Sequence, residues 1–365
     1  MKIQIPLSHS PIVVEDLAKV LKEFEGQPHE EIIKAFESKL CEITASPFAV
    51  ALNSGTSALH LALSVLGVST GDLVPVSTFT YVGSVSPIRY LGAHPVFIDS
   101  EEETWNMDPD LLEACLQELS SKGQLPKAIL VVHSYGMPAK MDELTSISKK
   151  FEVPIVEDAA EALGATYKGR PAGSLGDIGV LSFNSNKTIT SFGGGALLLK
   201  SKEQYDRVKF LAGHSRENLP YYEHHEIGYN YRMSPLNAAY GLSQLGSIDE
   251  KINQRRATFE YYKTHLQPLG FSFLDEPNGL FSSRWLSAIL LKSGMDPLKI
   301  QAKLAMVGIE TRPLWNPMHC QPAFIGEKTY LNGLAEGLFK AGLCLPSGGN
   351  FSKRILNKLI SEIKI

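Results

Sequence analysis

Residues 179–195 read GVLSFNSNKTITSFGGG, which is an apolar run followed by a polar turn, one lysine and three consecutive glycines. The apolar run, from Ile178 to Phe183, is typical of a buried strand. A lysine between a strand and a glycine run can be partly desolvated, and desolvation makes its amine a nucleophile toward an aldehyde. Lys187 is therefore a candidate nucleophile, and Ser182 offers a hydroxyl to an anion. Taken alone, the pattern also fits a solvated surface lysine.

Short apolar segments alternate with helical patterns over the first two thirds of the chain. The expected strands are residues 48–52, 74–76, 95–99, 128–132, 153–156 and 178–183. This alternation predicts an α/β fold with a mainly parallel sheet between helices. Ligands of such sheets bind beyond the carboxyl ends of the strands. The polar residues expected near those ends are Ser54, Tyr81, His133, Asp158 and Ser182.

A small polar turn, Asn53-Ser-Gly-Thr-Ser57, follows the first strand and precedes a helical pattern. Backbone N–H groups at a helix start bind phosphate well, and Thr56 and Ser57 add hydroxyls. A plain helix cap by Ser54 or Thr56 explains the turn equally simply, and on this turn alone we favour the cap.

The pattern changes after about residue 245. A charged helix is expected over 248–262, a strand over 287–291, and helices over 297–306 and 330–341. We therefore expect a large α/β domain over residues 1–245 and a smaller α+β domain over 246–365.

Composition excludes several classes of protein. The chain has 365 residues with a net charge of -4, which argues against a surface for nucleic acid. Its four cysteines lie far apart, so neither a disulfide framework nor a metal site is expected, and a reducing compartment is favoured. The start lacks a signal-peptide pattern and no apolar run is long enough to span a membrane, so we expect a cytoplasmic protein.

Asp158 and Lys187 together indicate one coenzyme. A carboxylate at a buried strand end needs a cationic partner, and a protonated pyridine nitrogen is one. An imine-forming lysine, a pyridinium-pairing aspartate and a phosphate turn describe a site for pyridoxal 5'-phosphate. Tyr81 would stack on the ring. Alternatively, Asp158 pairs with an arginine and Tyr81 belongs to the core.

Five motifs resemble the DegT/DnrJ/EryC1/StrS family of sugar aminotransferases in order and spacing, and the resemblance extends from about residue 6 to the end. The motifs are residues 53–59 (NSGTSAL), 157–162 (EDAAEA), 182–187 (SFNSNK), 193–196 (GGGA) and 228–233 (GYNYRM).

The resemblance implies a fold-type-I pyridoxal-phosphate enzyme, with a mainly parallel seven-stranded sheet, that works as a homodimer with shared active sites. It assigns Lys187 to the imine with the coenzyme and to proton transfer. It also assigns Asp158 to the pyridine nitrogen and Glu161 to the region of the ring hydroxyl. The remaining implied cofactor contacts are Gly55, Thr56, Ser57 and Ser182 at the phosphate, Tyr81 over the ring, and Asn230 at the phosphate of the partner's cofactor.

Further motifs resemble the subgroup that aminates C4 of nucleotide-linked 4-keto-6-deoxy sugars, above all the UDP-N-acetylbacillosamine pathway transaminases and then the perosamine synthases. The implied reaction takes the amino group of L-glutamate to UDP-4-keto-6-deoxy-GlcNAc, for surface-glycan biosynthesis. A nucleotide diphosphate needs cationic donors. The candidate substrate residues are Tyr222, His224, Arg232, Arg312 and His319. Equally, Arg232 could pair with a carboxylate and His319 could be a core histidine.

Several alternatives remain open. Within the family these are C3 or C4 amination of a dTDP- or GDP-linked sugar, since the segment 23–28 is shorter than the usual family loop and lacks its Gly-Trp element. Histidine in place of Lys187 would indicate the dehydratase branch, so lysine favours transamination. Outside the family, a nicotinamide oxidoreductase would need a Gly-x-Gly-x-x-Gly turn that residues 53–57 lack. A catalytically idle regulator is disfavoured by the intact Lys187 and Asp158.

Overall fold

The computed structural model describes residues 3–8, 14–349 and 351–363. The helices are α1 Val14–Glu23, α2 His29–Thr44, α3 Gly55–Val65, α4 Val82–Tyr90, α5 Pro109–Ser121, α6 Met141–Phe151, α7 Lys202–Ala212, α8 Pro235–Leu245, α9 Ile248–Leu266, α10 Pro297–Met306, α11 Leu334–Ala341 and α12 Lys353–Ile363. The strands are β1 Phe48–Leu52, β2 Leu73–Ser77, β3 His94–Ile98, β4 Ile129–Val132, β5 Ile155–Asp158, β6 Thr166–Tyr167, β7 Arg170–Pro171, β8 Ile178–Ser182, β9 Gly195–Leu199, β10 Ser272–Phe273, β11 Leu280–Phe281, β12 Ser287–Leu290, β13 Arg312–Pro313, β14 Lys328–Tyr330 and β15 Gly342–Leu345.

The large sheet has the strand order β1-β9-β8-β5-β4-β2-β3-β14. Every neighbouring pair from β8 to β14 is parallel, and only β9 runs against its two neighbours. The mainly parallel α/β sheet is therefore confirmed. It contains eight strands where seven were expected, because β14, from late in the chain, pairs with the edge strand β3.

Both faces of the sheet are covered, which explains why most residues of its central strands are apolar. Alternate strand residues such as Val50 pack with Leu59 of α3, Val85 of α4 and Val208 of α7. On the opposite face, one group of strand residues packs with α2 and α8, and a second group packs with α5 and α6. The polar carboxyl ends of β1, β2, β4, β5 and β8 consequently meet at one edge.

A four-stranded sheet, β10-β12-β15-β13, lies wholly after residue 245 and packs on α9, α10 and α12. However, β11 and β14 from the same part of the chain pair with β6 and β3. The division at residue 245 stays a prediction.

One expected helix begins later in the sequence than predicted. The helix expected from Tyr330 begins at Leu334, because Tyr330 ends β14 and Gly333 takes a left-handed conformation (φ 90°) before the helix. In the described part of the chain, no helix has the length and apolarity needed to cross a membrane. All four cysteines are free thiols.

Candidate active site

A cavity of about 410 Å³ lies at the carboxyl edge of the large sheet. Its lining comes from segments that follow β1, β2, β5 and β8, as expected for a parallel sheet. The predicted residues that line it are Gly55, Thr56, Tyr81, Asp158, Glu161, Ser182 and Lys187. His133, also expected near this edge, is instead fully buried, with Nε2 2.8 Å from Glu157 Oε2.

The polar turn after β1 caps helix α3. Ser54 is the N-cap, and its Oγ accepts a hydrogen bond from the Ser57 backbone N–H at 3.0 Å. The Ser57 hydroxyl donates to Asn53 Oδ1 at 2.6 Å and is not part of the cavity lining. Gly55 and Thr56 do line the cavity, so the first turn of α3 presents its free backbone N–H groups there. The turn is therefore a helix cap, as expected, and its free N–H groups are available to an anion in the cavity.

Gly195 fixes the position of this turn, because a Cβ atom there would lie 2.5 Å from the carbonyl oxygen of Ser54. Strand β9 can approach the turn closely only because residue 195 has no side chain. The glycine run after the lysine thus fixes the distance between β9 and the start of α3.

Asp158 is buried, with 4% of its surface exposed, at the end of β5. Its Oδ2 accepts a hydrogen bond from Ser84 Oγ at 2.7 Å, and its Oδ1 accepts one from the Ala160 N–H at 3.1 Å. Within residues 3–8, 14–349 and 351–363, no lysine, arginine or histidine nitrogen forms an ion pair with this carboxylate. The arginine alternative is thus not realised, and a buried carboxylate faces the cavity ready for a cationic ligand.

Lys187 lies between an acid and an aromatic ring. Its Nζ is 3.5 Å from Glu161 Oε1 and 4.0 Å from the centroid of the Trp285 indole ring. The Tyr135 N–H donates to Glu161 Oε2 at 2.7 Å. Burial raises the pKa of Glu161, and the nearby Lys187 charge opposes that rise. The lysine is therefore held inside the cavity and is not a solvated surface residue.

Aromatic rings form one wall of the cavity. Tyr81 is 58% exposed, so it is a cavity residue and not part of the core. Its ring lies 5.6 Å from that of Trp315, which stacks on Tyr135 at 5.7 Å between ring centroids. A flat ring can bind against such a wall.

Four predicted residues lie in a second cavity of about 580 Å³: Tyr222, His224, Asn230 and Arg232. The Asn230 carbonyl accepts a hydrogen bond from Asn53 Nδ2 at 3.1 Å, and Asn53 lines the first cavity. Tyr222 is 80% exposed. Among the described residues, Arg232 forms no ion pair with a carboxylate; its guanidinium packs beside Gly213.

The last two substrate candidates, Arg312 and His319, do not line the second cavity. Arg312 lines a third cavity of about 500 Å³, which shares Asn186, Trp285 and Trp315 with the first. His319 belongs to the lining of none of these three cavities, and its Nδ1 lies 2.7 Å from Thr78 Oγ1.

Several residues of the site were not predicted from the sequence. Ser84 stands one helical turn after Tyr81, and that spacing was the available signal. Trp285 has no local signal at all, because it reaches Lys187 only through the fold. Trp315 belonged to a recognised motif, but no role was assigned to it.

These side chains fit pyridoxal 5'-phosphate. Lys187 would bind the aldehyde, the Asp158 carboxylate would pair with the ring nitrogen, and the start of α3 with Ser182 would hold the phosphate. The DegT/DnrJ/EryC1/StrS aminotransferase family matches residues 14–364 of the chain. The chain belongs to this family. It is a pyridoxal-phosphate-dependent sugar aminotransferase.

Individual relatives agree with this assignment. EpsN of Bacillus subtilis (strain 168), whose name describes a pyridoxal phosphate-dependent aminotransferase, is 44% identical over 92% of this chain and 88% of its own length. GDP-perosamine synthase of Escherichia coli O157:H7 is 39% identical over 86% of this chain and 84% of its own. The structure of the sugar aminotransferase Spr1654 from Streptococcus pneumoniae in its PLP form is 28% identical with a TM-score of 0.89, and covers 99% of this chain and 97% of its own.

Proposed function

We propose that this aminotransferase moves the amino group of L-glutamate to C4 of a nucleotide-linked 4-keto-6-deoxy sugar, with UDP-4-keto-6-deoxy-GlcNAc as the first candidate acceptor. The observation that carries the proposal is the Lys187 amine, held 3.5 Å from Glu161 in a cavity that the buried carboxylate of Asp158 also lines. The product would be an amino sugar for a surface glycan.

Each of these residues has a distinct task. When bound, pyridoxal phosphate supplies an electron-withdrawing ring that stabilises charge on the carbon that loses a proton. The Asp158 carboxylate would keep the ring nitrogen protonated, because an anion at hydrogen-bonding distance favours the charged form. The Lys187 amine would hold and return the proton of the substrate carbon that bears nitrogen. Glu161 would orient that amine between transfers.

We place the phosphate at the first turn of α3, with Gly55, Thr56 and Ser182, while Ser57 would support the turn from behind through Asn53. Asn230 would act across a dimer interface on the partner's cofactor. Two features support the dimer: Asn230 opens on a different cavity from Lys187, and Tyr221, Tyr222 and Ile227 are exposed on the nearby segment.

We infer that the sugar nucleotide extends from the first cavity, which contains Lys187, into the third cavity and into the second cavity of a partner subunit. Arg232, with Tyr222 and His224, would bind the diphosphate from the second cavity of a partner subunit, and Arg312 would contribute from the third. Guanidinium groups suit this role because they donate two parallel hydrogen bonds to phosphate oxygens. His319 is left out of this set because it lies outside the cavity linings.

A GDP-linked 4-keto-6-deoxy sugar is the second candidate acceptor, favoured by the 39% identity to a GDP-perosamine synthase. Both acceptors require the same chemistry at C4 and differ in the nucleotide and in the substituent at C2.

The test is an assay of purified protein with glutamate and separate UDP-, GDP- and dTDP-linked 4-keto-6-deoxy sugars. Release of 2-oxoglutarate is measured together with product mass and the NMR assignment of the aminated carbon. We expect turnover with the UDP-linked sugar, amination at C4, and no turnover in Lys187→Ala. Turnover with the GDP-linked sugar alone would support the second candidate. Amination at C3 would contradict both.

A further inference from the structure

Three potential metal ligands lie close together just after Trp315 and at the start of helix α11. They are His319, Cys320 and Glu336, and their ligand atoms all lie within 4.8 Å of one another. His319 and Cys320 belong to a short 3₁₀ helix, Met318–Cys320, whereas Glu336 lies in the first turn of α11. No metal site was expected from the sequence, because no pair of cysteines shows metal-ligand spacing.

The histidine is aimed into this cluster. Its side chain is only 8% exposed, and its Nε2 has no hydrogen-bond partner among the described residues although it is buried. Nε2 lies 3.6 Å from Glu336 Oε1, which is too long for a hydrogen bond. A buried ring nitrogen without a partner is costly, so its lone pair is available to a ligand.

The second ring nitrogen is already fixed, because Nδ1 lies 2.7 Å from Thr78 Oγ1. Metal-binding histidines usually donate their other N–H to an oxygen acceptor, which sets the tautomer and the ring orientation. Thr78 follows strand β2 and is fully buried, so it provides a rigid support for the imidazole.

The carboxylate and the thiol complete the set. Lys340 lies 2.8 Å from Glu336 Oε2, which leaves Oε1 directed at His319. Cys320 is exposed, so its side chain can rotate toward the other two. A metal displaces the thiol proton when it binds, giving a thiolate–metal bond and a proton released to solvent.

We propose that His319 Nε2, Cys320 Sγ and Glu336 Oε1 form a binding site for a divalent transition metal of the zinc class. One nitrogen, one sulfur and one oxygen are the ligand types that Zn²⁺ takes. In a tetrahedral site, ligand atoms at about 2.0–2.3 Å from the metal are separated by about 3.3–3.8 Å, and the measured 3.6 Å between Nε2 and Oε1 falls in this range. Water fills the fourth position.

Such an ion would connect parts of the molecule that are remote in sequence. It would tie the segment after Trp315 to α11 and, through Thr78, to the end of β2. Trp315 lines the catalytic cavity four residues before His319. The site is therefore structural: it would hold the aromatic wall in place without entering the reaction.

The test is a titration of the coenzyme-loaded protein, freed of excess pyridoxal phosphate and metal, with Co²⁺. Cobalt reports its own coordination, because a thiolate ligand adds an ultraviolet charge-transfer band and a tetrahedral site gives strong visible bands. We expect both at one equivalent per chain, with Zn²⁺ displacing the cobalt and raising the melting temperature.

Variants separate this site from adventitious thiols. Cys320→Ser is expected to remove the charge-transfer band, and His319→Gln and Glu336→Gln to weaken binding strongly. Thr78→Val, which removes the hydroxyl that contacts Nδ1 and also accepts a hydrogen bond from the His319 backbone N–H, is expected to weaken binding about 10–100-fold. Cys41→Ser is the matched control and should leave the band intact. The proposal is overturned if the wild type shows no thiolate band at one equivalent, or if Cys320→Ser retains it.

Discussion

The side-chain nitrogen of Lys187 lies 4.0 Å from the centroid of the Trp285 indole ring, although the two residues are almost a hundred positions apart in the sequence. Trp285 Nε1 donates at 2.9 Å to the carbonyl of Asn186, the residue before the lysine. The Trp285 carbonyl in turn accepts a hydrogen bond from the buried Arg255 at 2.6 Å. The later part of the chain thereby positions the amine on which the reaction depends.

Replacing Trp285 with leucine is expected to lower kcat/KM by about 2- to 30-fold, the equivalent of a partly buried cation–π contact of about 0.5–2 kcal/mol. Trp285→Phe keeps a ring but loses the N–H donor to Asn186, so a smaller loss is expected. Trp105→Phe, at a buried tryptophan outside the cavity lining, is the control. Steady-state kinetics of the three variants provides the measurement. Equal losses in Trp285→Leu and Trp105→Phe would contradict a positioning role.

Ser84→Ala is expected to weaken the binding of pyridoxal phosphate about tenfold to a hundredfold. The Ser84 hydroxyl donates to the Asp158 carboxylate at 2.7 Å, and hydrogen bonds to charged groups contribute about 1.5–3 kcal/mol. Titration of the coenzyme-free protein, followed by absorbance, measures the affinity.

Ser86→Ala is the matched control, since that serine lies in the same helix and its hydroxyl donates to the Val82 carbonyl at 3.0 Å. It should bind the coenzyme as the wild type does. If both serines can be removed without effect, Asp158 does not need its hydroxyl partner in order to bind the ring.

Gly195→Ala is expected to disrupt the phosphate turn, because the added Cβ would lie 2.5 Å from the carbonyl oxygen of Ser54. The turn must shift, and we expect a loss of coenzyme affinity of about 5- to 160-fold, since a forced backbone shift costs about 1–3 kcal/mol. Gly246→Ala, where a Cβ would meet no atom within 4 Å, is the control. Equal affinities in the two variants would show that the close approach of β9 does not shape the site.

The raised pKa of Glu161 gives a pH-dependent prediction. The folded protein binds this proton more tightly than the unfolded chain does, so Glu161 makes folding less favourable as the pH rises from its ordinary pKa through the raised one. A glutamine at position 161 does not titrate, so it lacks this pH-dependent contribution to the free energy of unfolding. In coenzyme-free protein, the melting temperature of Glu161→Gln minus that of the wild type is therefore expected to increase with pH over the weakly acidic range.

Glu102→Gln, at an exposed glutamate, is measured in parallel as the reference variant. A difference for Glu161→Gln that falls with rising pH would mean that the Lys187 charge outweighs the cost of burying the carboxylate.

The sequence was sufficient for the features that are local. Short apolar runs predicted the strands, and polar residues at their ends predicted the cavity, since parallel strands bring their carboxyl ends to one edge. A cap by Ser54 or Thr56 was predicted from a single turn, and Ser54 is the capping residue. Chain patterns could not reveal β14, because a three-residue strand such as Lys328–Tyr330 exists only where a partner edge is available.

The missed site residues have the same explanation. Trp285 is close to Lys187 only because Arg255 and the four-stranded sheet hold it there, and nothing near residue 285 in the sequence indicates that contact. The cluster of His319 with Glu336 likewise forms between a short 3₁₀ helix and α11. Contacts of this kind depend on packing, which periodicity and motif spacing do not record.

The proposed reaction depends on the Lys187 amine as the group that binds the coenzyme. Borohydride reduction of the pyridoxal-phosphate-loaded protein, followed by digestion and peptide mass spectrometry, fixes the coenzyme to whichever amine holds it. We predict a single modified peptide in which the label is on Lys187. A label on any other lysine, or a loaded protein in which the peptide containing residue 187 stays unmodified, would contradict the account.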